Sequence, residues 1–134
     1  MQKPKTIVLD FWAIMAYLED ETAAERVADI ISDAHDGVPL MMSVVNAGEI
    51  CYTVARRTTA AKADRTIALL SQIGIEFINA DWPLTKLAAG FKVRGNISYA
   101  ETFAAALTKQ TKAALITGDR EFQQLEKEIT INWL

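Results

Sequence analysis

Short apolar runs alternate along the chain with longer amphipathic stretches, which is the pattern of strands connected by helices. Strands are predicted at residues 6–9, 40–42, 75–78, 113–117 and 129–133, and helices at residues 11–18, 22–34, 44–57, 61–73, 83–93, 98–109 and 121–125. The strand-like runs are short and mostly apolar, as expected for strands that are buried on both faces. We therefore expect an α/β fold with a central parallel sheet and helices on both of its faces.

Turn-forming residues separate these elements without marking a domain boundary. Gly74 ends one predicted helix, Pro83 suits the first turn of the next, and Gly95 follows that helix. The sequence contains no internal repeat, low-complexity segment or linker, and 134 residues suit one compact domain. We expect a single domain that spans residues 1–134.

The composition is that of an ordinary globular protein, with 51 % hydrophobic and 23 % charged residues. The single cysteine, Cys51, excludes an internal disulfide and a CxxC zinc motif, so the reducing cytoplasm is the expected compartment. No apolar run approaches the roughly 20 residues that span a bilayer. The apolar stretch at residues 7–9 is also too short for the hydrophobic region of a signal peptide.

The net charge of −3 at first argues against a nucleic-acid-binding protein, since phosphate groups are neutralised by Lys and Arg. A divalent cation held by several carboxylates would change this balance, so that a local basic rim could suffice. The residues that could form such a rim are Arg56, Arg57, Lys62 and Arg65 in one stretch and Lys86, Lys92 and Arg94 in another. The alternative is that these side chains only solvate exposed helix faces.

Two aspartates directly follow predicted strands. Asp10 comes after the first strand, and Asp119 follows the strand at residues 113–117 by one glycine. In a parallel sheet both carboxylates would reach the same edge, where ligands of α/β proteins bind. Like charges repel there, and a divalent cation would remove that penalty. The alternative for each aspartate is a purely structural role as the N-cap of the following helix.

Two glutamates in predicted helices also have both a structural and a functional interpretation. Ser98 and Glu101 fit the S-x-x-E capping box, and the same geometry places the Glu101 carboxylate at a helix N-terminus, where it could face a cation. Glu49 lies opposite the apolar stripe of its helix, on the side of Asn46 and Thr53, and is by default a solvated glutamate. It becomes a ligand only if that side borders the cleft. The stripe consists of Val44, Ala47, Cys51, Val54 and Ala55.

Signatures of other catalytic classes are missing from the sequence. There is no P-loop, no GxGxxG and no HExxH motif. The one histidine, His35, sits at a predicted helix end and is better explained as a cap or surface residue than as a general base. A set of acids without a nucleophile or a cofactor motif indicates metal-assisted hydrolysis.

Four segments, at residues 7–18, 43–50, 97–107 and 115–122, resemble in order and spacing the motifs of PIN domains, and in particular those of VapC toxins from prokaryotic toxin–antitoxin systems. They read IVLDFWAIMAYL, SVVNAGEI, ISYAETFAAAL and LITGDREF. The resemblance covers nearly the whole chain. It implies that the acidic quartet of the family corresponds to Asp10, Glu49, Glu101 and Asp119.

The resemblance also implies an activity, which is the hydrolysis of RNA phosphodiester bonds with Mg²⁺ or Mn²⁺ as cofactor. Asp10, Glu101 and Asp119 would hold the cation, and Glu49 would orient or deprotonate the attacking water. The further implied partners are an antitoxin protein that covers the active-site groove and a second copy of the chain in a homodimer. The hydroxyl groups of Ser98 and Thr117 could support the acids or serve only in caps and turns.

Two positions depart from the family pattern. Glu101 stands where the family usually carries aspartate, and Trp12 stands where many members carry a small hydroxyl residue. The longer acid changes the reach of a ligand, to which Mg²⁺ is sensitive. One alternative function is therefore a PIN-like interaction module whose metal site has decayed. A second is a phosphatase of the haloacid-dehalogenase type, although that chemistry requires an aspartate where Trp12 stands.

Overall fold

The computed structural model describes residues 6–20, 22–34 and 37–134, so that His35 lies outside the described residues. Within them, the strands β1 to β5 span Ile7–Leu9, Leu40–Ser43, Ile75–Ile78, Ala114–Thr117 and Thr130–Trp133. The helices α1 to α6 span Phe11–Leu18, Ala24–Asp33, Val44–Arg57, Ala60–Gln72, Trp82–Arg94 and Tyr99–Thr111. A short 3₁₀ helix spans Arg120–Leu125.

The strands form one sheet in the order β3-β2-β1-β4-β5, and every neighbouring pair is parallel. β1 is central, because Val8 pairs with Met41 of β2 on one side and with Leu115 of β4 on the other. From β1 the chain first builds one half of the sheet through β2 and β3 and then returns to build the other half. The strand order therefore reverses between β1 and β4, which is where ligands of open α/β sheets bind.

Alternate residues of the central strands supply two hydrophobic cores, one on each face of the sheet. Val8 of β1 and Leu115 of β4 belong to the core beneath α5, α6 and the 3₁₀ helix. Leu9 and Ile116, the next residues along, belong to the core beneath α1 to α4. The fold class is thus confirmed as a parallel sheet with helices on both faces.

Helix starts follow the capping side chains closely. A side-chain oxygen caps five of the α-helices, from Asp10, Ser43, Thr59, Asp81 and Ser98 respectively. α2 starts after Ala23, which has no capping group, and it begins two residues later than predicted. No helix of the described residues is long and apolar enough to cross a bilayer.

Candidate functional site

Four acidic residues from distant parts of the chain line one pocket at the carboxyl edge of the sheet. Asp10 follows β1 and Asp119 follows β4, the two strands between which the strand order reverses. Glu101 lies in the first turn of α6, and Glu49 lies in α3. The pocket has a volume of about 230 Å³, and α1 contributes Phe11, Trp12, Met15 and Ala16 to its wall. The structure therefore brings all four predicted acids together.

Asp10 is almost completely buried, with 2 % of its surface exposed. Its Oδ1 accepts a hydrogen bond of 2.8 Å from the backbone N–H of Ala13, and its Oδ2 accepts one of 2.5 Å from the hydroxyl of Thr117. Burial raises the pKa of Asp10 to about 7; the two hydrogen bonds oppose this rise, and the charges of Asp119 and Glu49 add to it. Asp10 does cap α1, and both of its oxygens keep lone pairs for a further ligand.

Asp119 is held by hydrogen bonds to the residues on either side of it. Its N–H donates to Thr117 Oγ1 at 3.0 Å, and its Oδ1 accepts from the N–H of Glu121 at 3.0 Å. The second contact caps the 3₁₀ helix, so the structural role predicted as the alternative is present here too. Because that cap uses a single carboxylate oxygen, it is compatible with a second role in the pocket.

Glu101 combines the two interpretations that the sequence left open. Its Oε1 accepts a 2.7 Å hydrogen bond from Ser98 Oγ, which in turn accepts from the N–H of Glu101 at 3.2 Å. Its Oε2 is buried and has no hydrogen-bond partner within the described part of the chain. Burial, together with the nearby carboxylates of Glu121 and Asp119, raises the pKa of Glu101 well above its usual range. One oxygen thus serves the helix cap, and the other is left for a ligand.

The donor set fits a hard divalent cation. Carboxylate oxygens of Glu101, Asp119 and Glu121 lie within 4.8 Å of one another, and oxygen ligands are those that Mg²⁺ and Mn²⁺ prefer. A cation would also supply the missing partner of Glu101 Oε2, and it would offset the repulsion from Asp119 and Glu49 that adds to the burial-driven rise in the pKa of Asp10. This group of three contains Glu121, whereas the predicted ligand set contains Asp10 as its third member. Asp10 lines the same pocket as Glu101 and Asp119. The predicted ligand set of Asp10, Glu101 and Asp119 stays a prediction.

Glu49 is half-buried and faces the pocket, so that the side of α3 that it shares with Asn46 does border the cleft. Asn46 Nδ2 donates a 2.9 Å hydrogen bond to Glu49 Oε1. Burial raises the pKa of Glu49, and this hydrogen bond opposes the rise. Glu49 is accordingly not the freely solvated glutamate of the default interpretation.

Trp12 packs directly against the loop that carries Asp119. A Cβ atom placed on Gly118 would lie only 2.5 to 2.7 Å from three carbons of the Trp12 indole, so the ring occupies the space that a side chain would need. Trp12 also lines the pocket beside Asp10. It therefore helps to fix the distance between the two strand-end aspartates. It also stands where a haloacid-dehalogenase-type phosphatase would need an aspartate.

The basic residues considered for a rim do not line this pocket. Arg57 forms an ion pair with Glu19, and Arg94 forms one with Glu128. Lys92 Nζ donates to the carbonyl oxygen of Ile97. These three side chains are therefore already engaged in contacts within the fold.

Sequence reasoning assigned no role to two polar residues that neighbour the predicted acids. Asn46 is one helical turn before Glu49, a spacing at which side chains meet, and this was the available signal. Glu121 follows Asp119 by two residues. An acid in the first turn of a helix is normally explained by its favourable interaction with the helix dipole. The sequence predicts that the Thr117 hydroxyl could support the acids, and it does contact Asp10.

The sequence model described as "PIN domain" matches residues 7–128 of the chain. A search of curated protein sequences finds no match. Solved structures supply further similarities at low sequence identity, which concern the fold alone.

Three of these structures show how far the likeness extends. VapBC2 from Rickettsia felis, bound to a DNA fragment from its promoter, matches with a TM-score of 0.75 at 13 % identity and covers 95 % of this chain and 97 % of its own. VapC20 from Mycobacterium tuberculosis, a toxin that cleaves the sarcin–ricin loop, matches with a TM-score of 0.69 at 17 % identity. This match covers 88 % of this chain and 93 % of VapC20. VapBC-5 from the same organism, a member of the VapBC family of toxin–antitoxin systems, matches with a TM-score of 0.65 at 15 % identity and covers 98 % of each chain.

Proposed function

The chain belongs to the PIN domain family, and from that premise we propose that it is a Mg²⁺- or Mn²⁺-dependent endoribonuclease that acts as the toxin of a toxin–antitoxin pair. The observation that carries this proposal is the meeting of Asp10, Glu49, Glu101 and Asp119 in one pocket at the switch point of the sheet. Such a cluster of carboxylates is unfavourable without a cation, and it offers the chemistry of metal-assisted hydrolysis.

In this proposal Asp10, Glu101 and Asp119 would hold the cation, whose positive charge would serve to polarise the scissile phosphate and to stabilise the leaving oxygen. Thr117 fixes the Asp10 carboxylate, and Ser98 fixes that of Glu101, through the hydrogen bonds described above. These contacts restrict the rotamers of the acids before the substrate arrives, which keeps the site preorganised.

Glu49 is assigned the proton transfer. It orients a water molecule and accepts its proton as the water oxygen attacks the phosphorus atom. The bond between phosphorus and the 3′ oxygen breaks, and that oxygen takes a proton from solvent. The products carry a 5′-phosphate and a 3′-hydroxyl end.

An antitoxin protein and a second copy of the chain are the proposed partners. Support comes from the family resemblance and from the VapBC toxin–antitoxin structures with the same fold, of which the Rickettsia felis example is bound to its promoter DNA. The cytoplasmic location expected from the single cysteine also stays a prediction.

Incubation of the purified protein with total bacterial RNA tests the proposed activity, with Mg²⁺, with Mn²⁺ and with EDTA, followed by sequencing of the new 5′ ends. We expect defined cleavage sites that require the cation. Asp10→Asn should abolish cleavage and keep the fold, because asparagine is an equally good N-cap for α1. Cleavage in EDTA, or full activity of the Asp10→Asn protein, would contradict the assignment.

A further inference from the structure

Asn46 is a buried polar side chain in α3, with 1 % of its surface exposed, on the wall of the acidic pocket. Its Nδ2 donates to two acceptors, which are Glu49 Oε1 at 2.9 Å and the carbonyl oxygen of Ala100 at 3.1 Å. Ala100 directly precedes Glu101 in the first turn of α6. One amide group therefore connects an acid of α3 with the backbone that carries an acid of α6.

The orientation of this amide is fixed by chemistry. A carboxylate and a backbone carbonyl can only accept hydrogen bonds, so only the NH₂ group of Asn46 can face them. The amide oxygen must then point the other way. Oδ1 is buried, and no donor from residues 6–20, 22–34 and 37–134 reaches it. A buried acceptor without a partner is unfavourable, and each such group in a folded protein calls for an explanation.

A purely structural role explains this residue poorly. A leucine of similar size could fill the space between α3 and α6 without leaving an orphaned oxygen. The carbonyl oxygen of Ala100 does not depend on Asn46, since it also belongs to the regular hydrogen-bond ladder of α6. Of the two hydrogen bonds of Asn46, only the one to Glu49 therefore explains why an amide stands at this position.

We propose that Asn46 is a positioning residue, which holds the Glu49 carboxylate in the acidic pocket at a fixed place relative to the first turn of α6. Glutamate has three side-chain torsions, and Glu49 is only half-buried, so without this contact its carboxylate can rotate out toward solvent. Residues that orient an active-site group typically change activity by one to two orders of magnitude when they are replaced. This inference rests on the proposed catalytic role of Glu49.

A double-mutant cycle separates positioning from packing. The variants are Asn46→Leu, Glu49→Ala and the two combined, assayed at saturating total bacterial RNA with Mn²⁺. We expect Asn46→Leu to lower the cleavage rate by about 10- to 100-fold in the wild-type background and to have no further effect in the Glu49→Ala background. The concentration of RNA at half-maximal rate should not change. An equal loss in both backgrounds, or no loss in either, overturns the proposal.

A second measurement does not depend on activity. In the metal-free protein, the side-chain NH₂ resonances of Asn46 in a ¹⁵N–¹H correlation spectrum should move on Glu49→Ala, and resonances that stay in place would show that the two side chains are not joined. If Asn46→Leu does not fold, Asn46→Ala replaces it in the cycle. If the wild-type protein cleaves no RNA, the proposed function fails, and the spectrum still decides whether Asn46 holds Glu49. A Glu49→Ala variant with the wild-type rate would remove the catalytic role of Glu49 and with it this proposal.

Discussion

The hydroxyl of Thr117 donates a 2.5 Å hydrogen bond to Asp10 Oδ2 while its oxygen accepts one of 3.0 Å from the backbone N–H of Asp119. Thr117 is the last residue of β4 and is completely buried. A single hydroxyl thus sets the spacing between the two acids that follow the central strands. It also opposes the rise in the pKa of Asp10 that burial causes.

Thr117→Val removes this hydroxyl and keeps the shape of the side chain. Because Asp10 then loses one of its two hydrogen bonds, we expect the affinity for Mn²⁺ and the RNA cleavage rate to fall by about 10- to 100-fold. The free energy of unfolding should fall by about 1–3 kcal/mol. Calorimetric titration with Mn²⁺ and urea denaturation measure the two effects.

Two variants serve as controls for Thr117→Val. Thr117→Ser keeps the hydroxyl and should retain most of the affinity. Thr108→Val removes an equally buried hydroxyl that contacts only the backbone of α6, so it should leave Mn²⁺ binding unchanged. Wild-type affinity in Thr117→Val would show that the hydroxyl does not organise the site.

Gly118→Ala tests the contact between Trp12 and the loop that carries Asp119. The new methyl group would overlap the indole ring, so we expect a loss of about 1–3 kcal/mol in the free energy of unfolding together with reduced cleavage. In a Trp12→Ala background the same substitution should hardly lower the free energy of unfolding, because the indole ring no longer occupies the space of the new methyl group. An equal cost in both backgrounds would contradict this explanation.

Gly48→Ala is the matched control for a glycine-to-alanine change. Gly48 lies in α3, and a Cβ atom there would meet no atom within 4 Å. Alanine in the middle of a helix should raise the free energy of unfolding by roughly 0.5–1 kcal/mol. A lower free energy of unfolding for Gly118→Ala and a higher one for Gly48→Ala would show that the loss comes from the contact with Trp12.

The sequence sufficed to predict the sheet and the place of the two aspartates, because both follow from local features. Apolar runs indicate buried parallel strands, and residues that directly follow such strands must reach the carboxyl edge. The alternatives of capping and ligand binding for Asp10 and Asp119 could not be separated, because one carboxylate has two oxygens and can do both.

The rotation of α3 about its axis could not be predicted in the same way. The apolar stripe that includes Val44 and Ala47 was expected to face the core, yet Val44 is exposed, and the buried residues are Asn46, Ala47 and Ile50. The reason is that α3 also packs against α6, where the amide of Asn46 finds two acceptors. Such a polar contact between distant segments leaves no hydrophobic pattern in the sequence.

Glu121→Gln tests whether this exposed acid belongs to the proposed cation site. Its carboxylate lies within 4.8 Å of those of Glu101 and Asp119, so the loss of its charge should weaken Mn²⁺ binding on the order of tenfold. Glu76→Gln removes the same charge from the edge strand β3 and should leave the affinity unchanged. Equal affinities of the two variants in calorimetric titration would exclude Glu121 from the site.

The acidic pocket should make the metal-free protein less stable as the pH rises. Burial raises the pKa of Asp10 from 3.8 to about 7, so between these values the folded state binds more protons than the unfolded state, and stability falls with increasing pH. From pH 5.5 to pH 8 this amounts to roughly 2 kcal/mol, or about 5–10 °C in Tm for a chain of this size. The raised pKa of Glu101 extends this loss of stability to higher pH.

Thermal melting in EDTA should therefore give a lower Tm at pH 8 than at pH 5.5, and Asp10→Asn should reduce the difference. Mn²⁺ should raise Tm more at pH 8, where the carboxylates are ionised. A Tm in EDTA that rises from pH 5.5 to pH 8 in the wild type but not in Asp10→Asn would mean that Asp10 is stabilised as a carboxylate without a cation.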